Sequence, residues 1–174
     1  MPNKSAITEV ESEFRELFVQ LSTIQDIIRQ RLTKFSDGKT LKGHELVGWL
    51  GEIYGKILLG GRLVDDSEEH DIETTDKLRI SVKARKGWSS GWKRSSAIPK
   101  VEGFDCPTHL LFVHLNDDYS IDRIWKYEWS YLNHHNRFKK HVVRGSHRSY
   151  IFTLDERNDS QFVIFSGTDT QEQC

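Results

Sequence analysis

Apolar residues recur through the first part of the chain in alternating steps of three and four: Ile7, Val10, Phe14, Leu17, Leu21, Ile24 and Ile28. That spacing is a heptad seam, and it predicts one long amphipathic helix from Ser5 to Phe35. Phe18, Ile27 and Leu32 widen the stripe beyond a strict seam, Ser5 can cap the start, and Ser36-Asp37-Gly38 marks the stop. A helix of this kind must cover its stripe, either against its own domain or against a second copy in a homodimer. Leu46, Leu50, Ile53, Ile57 and Leu58 repeat the helical spacing, and Gly60-Gly61 ends that second helix. From Leu78 the pattern switches to strict alternation through Lys83, the period of a half-buried strand.

Further on, His109 to Leu115 is almost continuously apolar, as expected of a strand buried on both faces. Asp117-Asp118 turns the chain, and Ile121 to Tyr127 reads as the hairpin partner. Ser149–Leu154 and Gln161–Phe165 read as two last strands joined by a turn at Asp155–Asp159, with a polar tail from Thr168 to Cys174. Helices and strands in this order predict an α/β domain. Residues 1–38 form a helical arm for packing or dimerisation, 39–167 the main domain, and 168–174 the tail.

Charge changes the picture more than composition does. The net charge of -1 excludes a uniformly basic nucleic-acid binder, but the charges are segregated. Asp65 to Asp76 holds seven acids and no Lys or Arg, whereas Arg79 to Lys100 holds seven bases and no acid. An acidic pole beside a basic one suits a metal site next to a phosphate-binding surface. Two opposed loops that simply pair would give the same pattern. Cys106 and Cys174, two only and far apart, form neither a disulfide framework nor a zinc site. No apolar run approaches the ~20 residues that cross a bilayer, so a cytoplasmic protein without membrane partners is expected.

Chemistry concentrates between Glu45 and Lys86. Glu52 lies in the second helix, Asp71 in the segment His70-Asp71-Ile72-Glu73, and Lys83 closes the strand segment Ser81-Val82-Lys83. Helical Glu, then Asp, then a strand ending in x-Val-Lys resembles the PD-(D/E)xK nuclease superfamily, the restriction-endonuclease-like fold. The resemblance implies a central mixed β-sheet flanked by helices. It also implies a metal-dependent DNA endonuclease, with the type II restriction enzyme as the leading case. Carried over residue by residue, Glu52 and Asp71 hold the metal and Lys83 orients or activates the attacking water. His70 stands where the motif has proline, and Ser81 where it has its second acid.

Physical chemistry runs alongside. Phosphodiester hydrolysis needs a cation that stabilises negative charge and lowers the pKa of a bound water. Mg²⁺, or Mn²⁺ in its place, takes oxygen ligands and keeps several waters. Glu52 and Asp71 can give carboxylates and Val82 its backbone carbonyl. Glu73, two residues beyond Asp71, can replace the missing acid if that segment is extended.

Two basic tracts offer DNA contacts. Gly87 to Pro99 reads as a Gly/Ser-rich loop, so Trp88 and Trp92 among Arg85, Lys86, Lys93 and Arg94 are candidates for a nucleic-acid groove. Trp129 to Arg148 contains Arg137, Lys139, Lys140, Arg144 and Arg148 with no acid. It reads as a DNA-contacting segment, as a solvated basic helix, or as a His-Asn-His site on His134, His135, Asn136 and His141. Three function classes therefore stand. The first is a nuclease (restriction, junction or repair), and the second a catalytically silent DNA-binding relative, for which Ser81 argues. The third is an oligomerisation protein built on the first helix.

Overall fold

The computed structural model describes residues 4–41, 45–65, 67–87 and 91–167. The chain divides into two compact units, Met1–Leu46 and Val47–Cys174. In the first, α1 runs from Lys4 to Leu32 and a 3₁₀ turn follows at Thr33–Phe35. Asp37 and Gly38 both have positive φ, which ends the helix, and the Ser36 hydroxyl, with one proton to donate, lies 2.8 Å from Lys39 O and 3.1 Å from Thr33 O. The apolar stripe of α1 is exposed at Leu17, Leu21, Ile24 and Ile27.

The second unit is built on α2 (Leu46–Leu59) and two sheets. Six strands form the larger sheet: β1 (Gly61–Leu63), β2 (Ile72–Thr74), β3 (Arg79–Lys86), β5 (His109–Leu115), β6 (Ile121–Glu128) and β9 (Val163–Ser166). They lie in the order β1-β2-β3-β5-β6-β9. Only the β3–β5 pair is parallel, so the sheet is mixed. The smaller sheet has the order β4-β8-β7, from β4 (Ser95–Ile98), β7 (Phe138–Val143) and β8 (Ser146–Thr153). A short α3 (Trp129–His134) links β6 to β7. Among the described residues no helix is long and apolar enough to cross a membrane.

Alternation along the central strands sorts side chains between two layers. Gly51 and Gly55 bring α2 close to one face: a Cβ on Gly51 would meet the Ala84 Cβ at 2.6 Å, and one on Gly55 the Leu111 Cδ2 at 2.6 Å. Val82, Ala84 and Leu111 therefore look towards α2. Leu110, Phe112, Trp125 and Tyr127 look the other way, into a core shared with Ile98, Phe138 and Phe152 of the small sheet and with Trp129 and Leu132 of α3. Aromatic contacts knit this second layer, Tyr127 on Phe152 at 5.1 Å and Phe138 on Trp129 at 4.8 Å among them.

Several expectations change here. The segment Gly87 to Pro99 is not all loop, since β4 pairs with β8 from Ser95 to Ile98. The second basic tract is not a helix beyond His134. It becomes the hairpin β7–β8, with β7 on the outer edge of the small sheet. A β1 strand at Gly61–Leu63, too short to leave a pattern, precedes the acidic run.

Candidate active site

Asp71 stands just before β2, fastened through three atoms. Its N–H donates to Ile80 O at 2.9 Å, and its carbonyl accepts from Val64 N at 3.1 Å. Its Oδ2 accepts from Val82 N–H at 2.6 Å. The last contact matters most. A side chain takes the place of a main-chain acceptor, so the β2–β3 ladder ends there and the two strands part. In an extended strand the N–H and C=O of one residue point to the same side, so the Val82 carbonyl also looks towards Asp71 and away from β5.

Ser81 and Lys83, two apart on β3, project from the face opposite Val82. Together with Asp71 they line a cavity of about 160 Å³, closed by Glu68, Glu69, Pro99, Lys100, Cys106, Pro107 and Trp129. Its size admits several waters, or a hydrated cation with a phosphoryl group. Ser81 is 7 % exposed and its hydroxyl makes no hydrogen bond within the described residues. Lys100 is held by Asp105 at 2.6 and 2.8 Å, which raises the ammonium's pKa and lowers the carboxyl's. Burial pushes the Cys106 thiol above its ordinary range, so it is a neutral wall and not a thiolate nucleophile. Trp129 is fixed by its indole N–H to Val101 O at 3.1 Å.

Of the residues read from sequence, the structure thus gathers Asp71, Lys83 and the Val82 backbone. Glu52 is not among the residues that line the cavity. α2 packs on the Val82/Ala84 face of β3, and Glu52 has a partner of its own. Glu73 is drawn outward to Arg62 at 2.6 Å and Lys77 at 3.0 Å, contacts that lower its pKa. Glu68 and Glu69 also line the cavity, although within the acidic run no motif singles them out. The turn in which Glu68 N–H donates to Asp65 O folds them back beside Asp71. Among the described residues no three His, Cys, Asp or Glu side chains form a group that could hold a metal ion on their own.

The basic candidates separate as sharply. Trp88 lies outside the described residues. Trp92 is buried, stacked on His114 at 3.8 Å, so its ring is closed to a base. Arg85 is tied to Ser95 O and Ser96 Oγ. Lys86 lies 3.1 Å from Asp117 O and over the Tyr119 ring. Arg94 pairs with Glu156 at 2.6 Å. Arg137 makes a two-pronged pair with buried Asp159 at 2.8 and 2.7 Å. Lys93, Lys139, Lys140, Arg144 and Arg148 are exposed and carry no ion pair within the described residues. The cluster His134, His135, Asn136 and His141 is split, because His135 bonds Tyr131 O on α3 while His141 sits on β7 opposite Ser149.

The chain matches no protein-family model, and no curated protein is similar to it in sequence.

Proposed function

We propose that this chain is a metal-dependent DNA endonuclease of the restriction-endonuclease-like fold, with a type II restriction enzyme as its setting. The observation that carries the reading is the shared cavity of Asp71 and Lys83, on neighbouring strands that part where Asp71 Oδ2 holds Val82 N–H. Support for the fold comes from α2 followed by the antiparallel run β1-β2-β3 and then a strand parallel to β3.

The donor set suits a hard, oxygen-seeking ion such as Mg²⁺. Asp71 would hold it with the Val82 carbonyl, and the remaining positions fall to water and phosphate, as Mg²⁺ prefers. When bound, such an ion would stabilise negative charge on the phosphoryl oxygens and make water a better nucleophile. Lys83 places a cation beside the phosphate that occupies the cavity and stabilises charge as it grows. The Ser81 hydroxyl offers a hydrogen bond that no group among the described residues claims. Glu68 and Glu69 at the rim can accept the proton from the attacking water and add negative charge that helps retain a cation.

Nicking of supercoiled plasmid with Mg²⁺ or Mn²⁺ tests this. Lys83→Met should cut the rate by about 10²–10³, the usual loss when one charge-stabilising group is removed. Asp71→Asn should abolish cleavage, and a Glu68→Gln/Glu69→Gln chain should lower it. All three should retain native melting. Full cleavage by Asp71→Asn would sink the assignment. A catalytically silent DNA-binding relative is the second reading, favoured by Ser81 and by the absence, among the described residues, of three side chains grouped to hold a metal ion. DNA shifted on a gel but never cut by the wild-type protein would establish it.

A further inference from the structure

Beyond Tyr150, whose partner Ile98 is the last residue of β4, the small sheet loses its third strand and only the β7–β8 pair continues. Val143 pairs with Ser146 across a two-residue turn, Arg144 at φ 50 and Gly145 at φ 79. Positive φ at both central positions defines the tight hairpin turn whose twist matches its strands. A register shift between His141 and Val142 adds to that twist. From His141 and Ser149 to the turn, three residues of β7 oppose four of β8, so the free ribbon extends roughly 10 Å at about 3.4 Å per residue, comparable with the ~8.5 Å depth of a B-form major groove. That groove, about 12 Å wide, admits a two-stranded ribbon.

Charge is arranged accordingly. Lys139 and Lys140 stand at the base of the ribbon, opposite Ile151 and Tyr150 where β4 still pairs, and being consecutive project from opposite faces; Arg144 stands at the tip and Arg148 on the return strand. All four are exposed and none is ion-paired within the described residues. No acid occurs between Trp129 and Leu154. Val142 and Val143 at the tip are exposed, apolar groups of the kind that meet thymine methyls. The first basic tract looks different, because Arg85, Lys86 and Arg94 are engaged within the fold.

We propose that the β7–β8 ribbon is the element that enters the major groove of duplex DNA, with Lys139, Lys140, Arg144 and Arg148 on the phosphate walls. That the partner is DNA rests on the nuclease reading above. The ribbon geometry adds which element meets it and in which groove.

Fluorescence anisotropy on a ~30-base-pair duplex tests the ribbon, using the Asp71→Asn chain so that cleavage does not intrude. Four phosphate contacts give a slope of about -3.6 in log affinity against log salt, or about 150-fold weaker binding between 50 and 200 mM. Replacing all four cations by alanine should flatten most of that slope. Arg144→Gly, which suits the positive φ and spares the fold, should remove about one unit of slope by itself. Duplex RNA of the same sequence, with its deep and narrow major groove, should bind about tenfold weaker or worse. An unchanged slope in a natively melting four-alanine chain and in Arg144→Gly, or equal affinity for duplex RNA, overturns the ribbon and leaves the nuclease reading intact. A wild-type protein that binds through the ribbon and never cuts overturns the nuclease reading alone.

Discussion

Arg137 decides between two ways of using a cation, and replacing it by methionine should cost stability before it costs DNA affinity. Its guanidinium meets Asp159 through both amino groups, at 2.8 and 2.7 Å, and reaches Thr153 O at 3.2 Å. Asp159 is fully buried, and its carboxylate also accepts from Asp155 N–H at 2.9 Å, so it ties the turn before β9 to the end of β8. The pair raises the Arg137 pKa, while burial followed by the Asp159 charge keeps the Tyr127 phenol protonated. Truncating one partner strands a carboxylate in the interior, a loss of about 3–5 kcal/mol. For a domain of this size that is a fall in Tm of roughly 6–20 °C. Urea unfolding gives the free energy directly, provided the m-value is unchanged. Removing both charges, as Arg137→Met with Asp159→Leu, should recover much of the loss, because a pair replaced by apolar groups is nearly neutral. The salt slope of DNA binding should stay where it was. Should Arg137→Met lose less than about 1 kcal/mol and take about one unit from the salt slope, Arg137 is a phosphate contact and the structural account of it fails.

The close approach of α2 and β3 makes Gly51→Ala destabilising even though alanine favours a helix by about 1 kcal/mol. The new Cβ would lie 2.6 Å from the Ala84 Cβ, which cannot rotate away, so the helix must lift, at an overpacking cost of about 1–3 kcal/mol. Thermal melting should show the loss, and Ala84→Gly in the same chain should return part of it; a Gly51→Ala protein as stable as wild type would mean the helix packs elsewhere. For pH dependence, burial first and then Lys126 lower the pKa of His109 in the fold. The unfolded chain therefore takes up the proton first, and stability is full above the unfolded value of about 6.5 and falls as pH drops below it. Melting at pH 7.5 and 5.5 should show the decline, and His109→Asn should lessen it; a decline of the same size in His109→Asn would place its origin elsewhere.

Periodicity made the larger elements legible and left the short ones dark. The heptad seam of the first segment, the helical spacing around Leu50 and the apolar run His109–Leu115 each repeat a pattern long enough to fix an element. β4 is four residues of Ser-Ser-Ala-Ile, and nothing in it separates a strand from a loop until β8 lies alongside. In the second basic tract, Phe138 and Phe152 face each other at the inner end of the hairpin, but charge masks their alternation along the chain. Trp92 misled for a related reason. Glycine and serine flank it, while its stacking on His114 depends on a strand that lies further along the chain. Within the candidate site, the order of Asp71 and Lys83 was enough to place both, because a hairpin brings neighbouring strands together. Glu52, on a helix, is not fixed by the same logic. Helical spacing tells which residues share a side of α2, but not which face of the sheet the helix will cover.

Ser81 follows from the same geometry. A carboxylate at that position would be more than nine-tenths buried beside Asp71. Two acids so placed repel and are poorly solvated unless a cation lies between them, so the fold would lose stability whenever the ion left. A serine there removes that penalty and still presents an oxygen to the cavity. Glu68 and Glu69 are exposed at its rim, where a charge keeps its water and costs little to maintain. On the proposed nuclease reading, a second negative charge at the rim instead of on the strand separates the stability of β3 from occupancy of the site. The rim acids gain this independence by giving up rigidity, because they sit on a turn and not in a ladder. On the proposed nuclease reading, their effect on cleavage should then be smaller per residue than that of Asp71, whose carboxylate is locked to the Val82 N–H.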